Sequence, residues 1–146
     1  LAENHLHTYV CDFPNKKFQQ HPQVISLPHL GASTKEAEEN CAIMIAQQVK
    51  DFLENGHIHH SVNFPNIKMT RKDGHRLTII NKNIPNMVAQ ITSTLSEKKI
   101  NIIDMMNKSR GNIAYTLLDV SQDINDATLK TLAQIDGVLH VRKIIA

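Results

Sequence analysis

The chain has 146 residues, of which 41% are hydrophobic and 21% charged, and its formal net charge is +2. This length suits one domain or two small ones. The charges are interspersed, without the basic stripe and aromatic platforms of nucleic-acid-binding proteins, and no apolar run approaches the roughly 20 residues of a membrane span. Nucleic acid and membrane are therefore not expected as partners. Cys11 and Cys41 match no metal-binding spacing, and with no signal peptide they predict reduced thiols in a cytoplasmic protein.

Two short strands are predicted near the start of the chain. The apolar runs 7–13 and 24–27 are separated by turn residues, which include Pro14 and Pro22. The second run is compact and β-branched, which favours a buried strand.

A long helix is predicted next, over residues 33–55. Ser33 and Glu36 form a capping box, in which the Ser33 hydroxyl is expected to accept a hydrogen bond from the Glu36 amide. Apolar residues then recur with a period near 3.6, as in an amphipathic helix. Gly56 is available for the left-handed position that commonly ends a helix.

The polar stretch 66–75 is predicted as a linker that separates a domain at 1–65 from a domain at 76–146. Beyond the linker, the apolar periodicity predicts strand 76–80, helix 87–99, strands 100–107 and 113–120, helix 125–135 and strand 138–145. This βαββαβ order is the split ferredoxin-like unit. The fold class is therefore α+β, with a ferredoxin-like domain preceded by strands, a loop and a long helix.

The residues at the strand-to-helix junction, Pro28-His29-Leu30-Gly31-Ala32-Ser33-Thr34, resemble the catalytic-histidine signature of the D-isomer-specific 2-hydroxyacid dehydrogenases. The resemblance continues through the helix and through residues 61–65. It implies that residues 1–65 are a C-terminal remnant of that family's nucleotide and substrate domains. It also implies that His29 is the general acid/base of an NAD-dependent parent enzyme. The carboxylate that the family pairs with this histidine has no counterpart in residues 15–18.

The sequence lacks the other parts of a dehydrogenase active site. None of its 146 residues form a Gly-rich G-x-G-x-x-G turn. The catalytic arginine motif of the family is also missing. NAD is therefore expected as the cofactor of the parent enzyme only, and this stretch by itself is expected to be inactive.

Residues 76–146 resemble an ACT domain, the amino-acid-binding module that ends the 3-phosphoglycerate-oxidising branch of the same family. The resemblance implies that L-serine binds at Asn81, Asn83 and Asn101. It also implies that serine inhibits the first step of its own biosynthesis allosterically and that the domain forms a homo-oligomer. Amide side chains suit a zwitterion because each offers donors and an acceptor. The helix start after Pro85 adds free backbone amides for a carboxylate.

Two alternatives remain open, and a third interpretation is weighed against. Asparagines in turns commonly bond only to the backbone, so the domain could serve subunit assembly alone. A different amino acid could be preferred, because many relatives have histidine in place of Asn81 and glycine in place of Asn86. His57, His59 and His60 invite a metal interpretation, but the sequence places no cysteine or carboxylate beside them, so no metal site is expected.

Overall fold

The structure is a computed structural model that describes residues 5–145, and these form two compact units. The first unit extends to Met44 and the second begins at Ile45. Within the first unit, β1 (Tyr9–Cys11) and β2 (Val24–Ser26) pair in parallel. Both predicted strands are confirmed, but they are shorter than the apolar runs that predicted them. The expectation that the second strand is buried is wrong, because Ile25 is half exposed in this two-stranded sheet.

A short helix, α1 (Lys16–Gln19), lies between these strands and was not predicted. Asn15 caps it, because its side-chain oxygen accepts hydrogen bonds from the amides of Lys17 and Phe18 at 3.1 and 3.2 Å. One turn of helix has too few residues to show an apolar period, so the cap was its only signal in the sequence.

The predicted long helix is confirmed as α2 (Lys35–Asn55). Its cap is Thr34 rather than Ser33, since the Thr34 hydroxyl accepts from the Ala37 amide at 3.1 Å. The expected Ser33 capping box is wrong by one residue, because the helix begins one residue later and Thr34 occupies the N-cap position. Apolar residues of α2 such as Ile45 are more than half exposed. Among residues 5–145, no helix is long and apolar enough to cross a bilayer.

The second unit contains the predicted βαββαβ order. Its elements are β3 (His75–Lys82), α3 (Met87–Glu97), β4 (Ile102–Arg110), β5 (Ile113–Val120), α4 (Asp126–Ala133) and β6 (Val138–Ile144). The four strands form one antiparallel sheet in the order β4-β5-β3-β6. The ferredoxin-like fold is therefore confirmed.

One face of this sheet is covered by the two helices. The core on that side comprises Leu77, Ile79, Ile91, Leu95, Ile100, Leu118, Val120, Ile124 and Leu132. These residues come from alternate positions of β3 and β5, from the apolar stripes of α3 and α4, and from the connections between them. Alternation along a strand and a period of 3.6 along a helix bring them to one interface.

The opposite face of the sheet is covered by the segment that follows α2. Ile58, Ile67 and Met69 are buried there against Tyr115 and Leu117 of β5. Ile67 and Met69 fall within the stretch that was expected to be a linker, and both lie inside the second unit. Since both faces of β5 are covered, seven of its eight residues are buried without alternation, and these include the polar Thr116 and Asp119.

A fully buried ion pair joins β3 to β5 on that second face. Arg76 donates from Nε and Nη2 to the two carboxylate oxygens of Asp119, at 2.7 Å each. The Arg76 Nη1 group also donates to the carbonyls of Asn55 and Met69, at 3.2 and 2.9 Å. Both charged side chains are about 1% exposed or less, so neither charge can be solvated if its partner is lost.

Replacement of Asp119 by alanine is expected to lower the free energy of unfolding by about 3–5 kcal/mol, because it leaves an uncompensated buried guanidinium. Urea denaturation followed by circular dichroism measures this loss. The double variant Arg76→Met/Asp119→Leu is the control, and it should recover much of the stability because an apolar pair needs no solvation. If the free energy of unfolding of Asp119→Ala lies within about 1 kcal/mol of that of the unmodified chain, this interpretation is contradicted.

A second ion pair holds the approach to β3 against the edge strand. The ammonium of Lys72 lies 3.0 Å from the Asp104 carboxylate on β4. The hydrogen bond from Lys72, with that from the Met105 amide, lowers the pKa of Asp104 below its ordinary value. A carboxyl group whose pKa is lowered by folding stabilises the fold above its unfolded pKa and loses that contribution as the pH falls through its folded pKa.

The Lys72→Met variant is expected to return the pKa of Asp104 towards the ordinary value of about 3.9. Acid unfolding of the variant should consequently depend less on pH below about 4. An NMR titration of the Asp104 carboxyl carbon measures the pKa directly. Lys68→Met removes a charge from the same segment without touching the pair, and it should leave the Asp104 titration unchanged.

Candidate functional site

A cavity of about 450 Å³ opens where β3 ends and α3 begins. Four asparagines line it: Asn81, Asn83, Asn86 and Asn107. The first two are residues that the sequence analysis selected. The remainder of the wall comes from Ile84 in the β3–α3 loop, from the first turn of α3 and from β5.

Asn81 presents an unsatisfied acceptor at this cavity. Its side chain is almost wholly buried, and its amide nitrogen donates to the Lys82 carbonyl at 2.7 Å. Its Oδ1 atom is buried without a hydrogen-bond partner among the described residues. Exchange of the amide oxygen and nitrogen would set two acceptors face to face at Lys82, so this orientation is the favoured one.

The start of α3 supplies donors beside that acceptor. Asn86 precedes the helix with a left-handed φ of 71°, and its side chain makes no capping hydrogen bond. The first amides of α3 are therefore not capped by a side chain, and they carry the positive end of the helix dipole. Asn83 holds the adjoining loop to the β4–β5 turn, since it donates from Nδ2 to the Gly111 carbonyl at 3.0 Å.

The turn between α4 and β6 forms one wall of this region. Gly137 has a φ of 93°, and a Cβ atom there would lie 2.9 Å from the sulfur of Met87 and 3.2 Å from Cδ1 of Ile84. Both neighbours line the cavity. The Gly137 carbonyl also accepts from the Lys82 amide at 2.7 Å. Only glycine combines this φ with such a close approach.

The structure does not bring Asn101 to this cavity within one chain. Asn101 lies before β4 and lines a separate cavity of about 380 Å³ near the C-terminal end of α3. In its place the structure adds Asn107, whose amide donates to the Thr116 hydroxyl at 2.6 Å. Sequence reasoning missed Asn107, although it follows Ile103 and Met105 at a period of two and so shares their face of the strand.

The Asn81→Leu variant is expected to keep the free energy of unfolding or raise it by up to about 1 kcal/mol, because it removes a buried oxygen that lacks a donor. Urea denaturation measures the change. Asn83→Ala serves as the comparison, and it should lose about 1 kcal/mol with its hydrogen bond to Gly111. A loss above about 2 kcal/mol in Asn81→Leu would mean that the Asn81 amide has a structural role instead.

His29 lies in the first unit beside a carboxylate that the sequence analysis did not identify. Its Nδ1 atom is 2.8 Å from Oδ2 of Asp12, and both side chains are more than half exposed. Phe13 contacts the histidine ring edge-on, with the ring centroids 5.4 Å apart. Asp12 follows β1 and His29 follows β2. Because these strands are parallel, both residues lie beyond the same end of the strand pair. A carboxylate at this position can orient the imidazole for proton transfer.

A second titratable cluster lies at the end of α2. The Asp51 carboxylate contacts two histidine rings. Its Oδ1 atom lies 3.0 Å from Nδ1 of His57, and its Oδ2 atom lies 2.9 Å from Nε2 of His59. The expectation that no carboxylate lies beside these histidines is wrong, because the turn at Gly56 folds them back onto the last turns of the helix. Burial raises the pKa of Asp51, but hydrogen bonds from Asn55 and His59 and the nearby charge of His57 outweigh it and lower the pKa overall.

A scan against protein families finds no match. The chain is similar to D-3-phosphoglycerate dehydrogenase of Escherichia coli strain K12, with 27% identity over 135 residues that cover 91% of this chain and 31% of the relative. The enzyme of Haemophilus influenzae is 32% identical over 120 residues, which cover 82% of this chain and 29% of the relative. The chain is homologous to these D-3-phosphoglycerate dehydrogenases.

The match is to the C-terminal part of D-3-phosphoglycerate dehydrogenase, and this chain spans less than a third of the length of these relatives. Solved structures with a similar fold include the ACT domain of GTP pyrophosphokinase from Chlorobium tepidum, with a TM-score of 0.42 and 21% identity over 47% of this chain and 94% of that chain. The regulatory subunit of aspartate kinase from Thermus thermophilus has a TM-score of 0.39 and 19% identity, over 52% of this chain and 56% of that chain.

Proposed function

We propose that this chain is the regulatory C-terminal part of an NAD-dependent D-3-phosphoglycerate dehydrogenase, and that its domain at 76–146 binds L-serine as a feedback inhibitor. The homology to these enzymes supports the parentage. The observation that carries the sensing role is the buried, unpartnered oxygen of Asn81 beside the uncapped start of α3. An acceptor and a set of donors at one cavity match the two charged ends of an amino acid.

A zwitterion can satisfy both sides of the cavity at once. Its carboxylate would accept from the first amides of α3, where the helix dipole favours a negative charge. Its ammonium would donate to Oδ1 of Asn81 and end the cost of a buried acceptor without a donor, which is about 1–3 kcal/mol. Asn107 and Asn83 line the same cavity, and their amides are suited to the hydroxyl of serine.

We also propose that two chains pair through β4, and this dimer would bring Asn101 to the asparagine cavity. β4 is an edge strand, and its exposed apolar side chains include Ile103 and Met105. Open edges of this kind are commonly protected by pairing. Asn101 stands just before β4 and Asn107 near its far end, so antiparallel β4–β4 pairing about a two-fold axis would bring the partner's Asn101 beside Asn107.

Regulation follows if the ligand binds the paired form better than the separate one. A ligand held between two chains shifts the population towards the dimer. If the paired form also binds the substrate more weakly, serine and substrate would by linkage lower each other's affinity by the same factor. In the parent enzyme, the substrate cleft would contain His29 as general acid/base, with Asp12 orienting its ring.

The cofactor and the compartment complete the proposal. NAD would serve the parent enzyme, and it requires a βαβ unit with a Gly-rich turn that these 146 residues do not contain. The residues present therefore do not fit NAD, and no step of the regulation involves it. Cys11 and Cys41 are free thiols, which agrees with a reducing cytoplasm.

Calorimetric titration of L-serine into this chain is expected to give stereoselective binding, with D-serine and glycine as ligand controls. The Asn83→Ala variant should bind serine about tenfold more weakly, which corresponds to one lost hydrogen bond of about 1.4 kcal/mol. Asn63→Ala removes an exposed asparagine outside the cavity and should bind serine normally. Sedimentation with and without serine should show that the ligand favours the dimer.

Two other results would redirect this proposal. A dimer whose formation is indifferent to serine, with no heat of binding at millimolar concentration, would favour a role in subunit assembly alone. Stabilisation by another amino acid in a thermal-shift panel, in place of serine, would instead identify a different effector for the same cavity.

A further inference from the structure

Three side chains that commonly bind metal ions meet where α2 ends. Asp51 lies in the last turns of the helix, and Gly56 ends it with a φ of 72°. The chain then turns so that His57 and His59 lie beside the Asp51 carboxylate. One ligand atom from each of these three residues lies within 4.8 Å of the other two.

The backbone of this segment fixes the direction of both histidines. Ile58 exchanges two backbone hydrogen bonds with Ile67, each 3.0 Å long. Residues at i and i+2 of an extended segment point to the same side, so His57 and His59 face the same way. A Cβ atom on Gly56 would approach Cγ2 of Thr78 to 2.5 Å, so the turn is packed tightly against the sheet.

The hydrogen bonds of His57 leave one of its ring nitrogens facing a negative charge. Its Nε2 atom lies 3.0 Å from the Met69 carbonyl and 3.4 Å from Nη1 of Arg76, and the tautomer in which Nε2 donates to the carbonyl satisfies the shorter contact. Its Nδ1 atom lies 3.0 and 3.1 Å from the two oxygens of Asp51. In that neutral tautomer Nδ1 presents a lone pair to the carboxylate, and a metal cation between them would be bound by both.

The surroundings resemble the outer shell of a metal site. The Met69 carbonyl accepts from the His57 ring and thereby fixes its tautomer, an arrangement common for metal-bound histidine. The Asn55 amide donates to Oδ1 of Asp51 at 2.8 Å, which orients the carboxylate. Oδ2 of Asp51 lies closest to His59, at 2.9 Å.

Charge and access are also compatible with a cation. Nη1 of Arg76 lies 3.4 Å from Nε2 of His57, but Asp119 balances that guanidinium through two 2.7 Å hydrogen bonds. Among residues 5–145, the Asp51 carboxylate has no such partner cation apart from the imidazoles. The side chain of His57 is 7% exposed, while those of Asp51 and His59 are 30% and 32% exposed, so an ion can enter from solvent.

We propose that Asp51, His57 and His59 form a zinc-binding site that is separate from the asparagine cavity. Two imidazole nitrogens and one carboxylate oxygen are a ligand set typical of Zn²⁺, with water in a fourth position. Ligands of a tetrahedral zinc ion stand about 3.3 Å apart at bond lengths of about 2.0–2.1 Å. The nitrogen–oxygen distances here are 2.9–3.1 Å, so each imidazole would move only a few tenths of an ångström from the carboxylate, and all three ligand atoms already lie within 4.8 Å of one another.

The bound ion would link the end of α2 to the segment that covers the second face of the sheet. Both histidines also line a largely apolar cavity of about 260 Å³ between those two elements. The ion would lie between the Asp51 carboxylate and the two ring nitrogens that now contact it. Zinc binding should accordingly release protons and weaken as the pH falls.

The test is titration of Zn²⁺ into the whole chain after metal is removed with a chelator, with a chromophoric chelator as competitor. One equivalent of Zn²⁺ is expected to bind and to raise the melting temperature. His59→Gln and Asp51→Asn should each weaken zinc binding at least about tenfold. His140→Gln is the matched control, because it removes an exposed histidine on β6 and should change nothing.

Bound Co²⁺ reports the geometry of the same site. A strong visible absorption, which is typical of tetrahedral cobalt, is expected for the unmodified chain and for His140→Gln, and not for His59→Gln. Equal Zn²⁺ affinity in the unmodified chain and in His59→Gln would overturn the proposal, since the metal would then bind at other histidines. If Asp51→Asn fails to fold, His59→Gln still decides the outcome, because the His59 side chain is 32% exposed and its substitution is not expected to disturb the core.

Discussion

The buried guanidinium of Arg76 holds three parts of the second unit together. It binds Asp119 on β5, the carbonyl of Asn55 at the end of α2 and the carbonyl of Met69 in the covering segment. Arginine keeps its charge at any ordinary pH, so these acceptors are needed whenever the side chain is buried. The end of the helix and the path of the covering segment are thereby fixed relative to the sheet. The turn at Gly56 depends on the same arrangement, and its carbonyl accepts a 2.8 Å hydrogen bond from the Tyr115 hydroxyl, whose pKa is raised by burial.

A single strand serves two sites of different chemistry. Alternate residues of β3 point to opposite faces of the sheet, so Asn81 lies on the face with the helices and Arg76 on the face with the covering segment. The asparagine cavity is built from amides and a helix start, which would suit a zwitterion. The cluster at the other face is built from imidazoles and a carboxylate, which suit a proton or a divalent metal. Because no side chain is shared between them, each site can be tested by variants that leave the other intact.

Apolar periodicity was sufficient to predict the helices and strands, but it could not predict side-chain contacts between residues that are distant in the sequence. The order of strands and helices in the second unit followed from apolar spacing, as did the length of α2. The burial of Arg76 could not be predicted, because a charged residue at a strand start ordinarily faces solvent. Asp51 was missed as a neighbour of His57, since only the turn at Gly56 makes them adjacent. Asp12 could have been found from the parallel pairing of β1 and β2, had that pairing been known. Asn101 was selected from the sequence together with Asn81 and Asn83, but within a single chain it lies at a different cavity.

The close approach of Gly137 to the start of α3 gives a residue remote in sequence control over the size of the cavity. Any side chain there would displace Met87, and with it the first turn of the helix. The α4–β6 turn therefore limits the width of the cavity, while the four asparagines supply its polar groups. Shape and polarity of the cavity are thus set by different segments of the chain, and a substitution at Gly137 would change the first without altering the second.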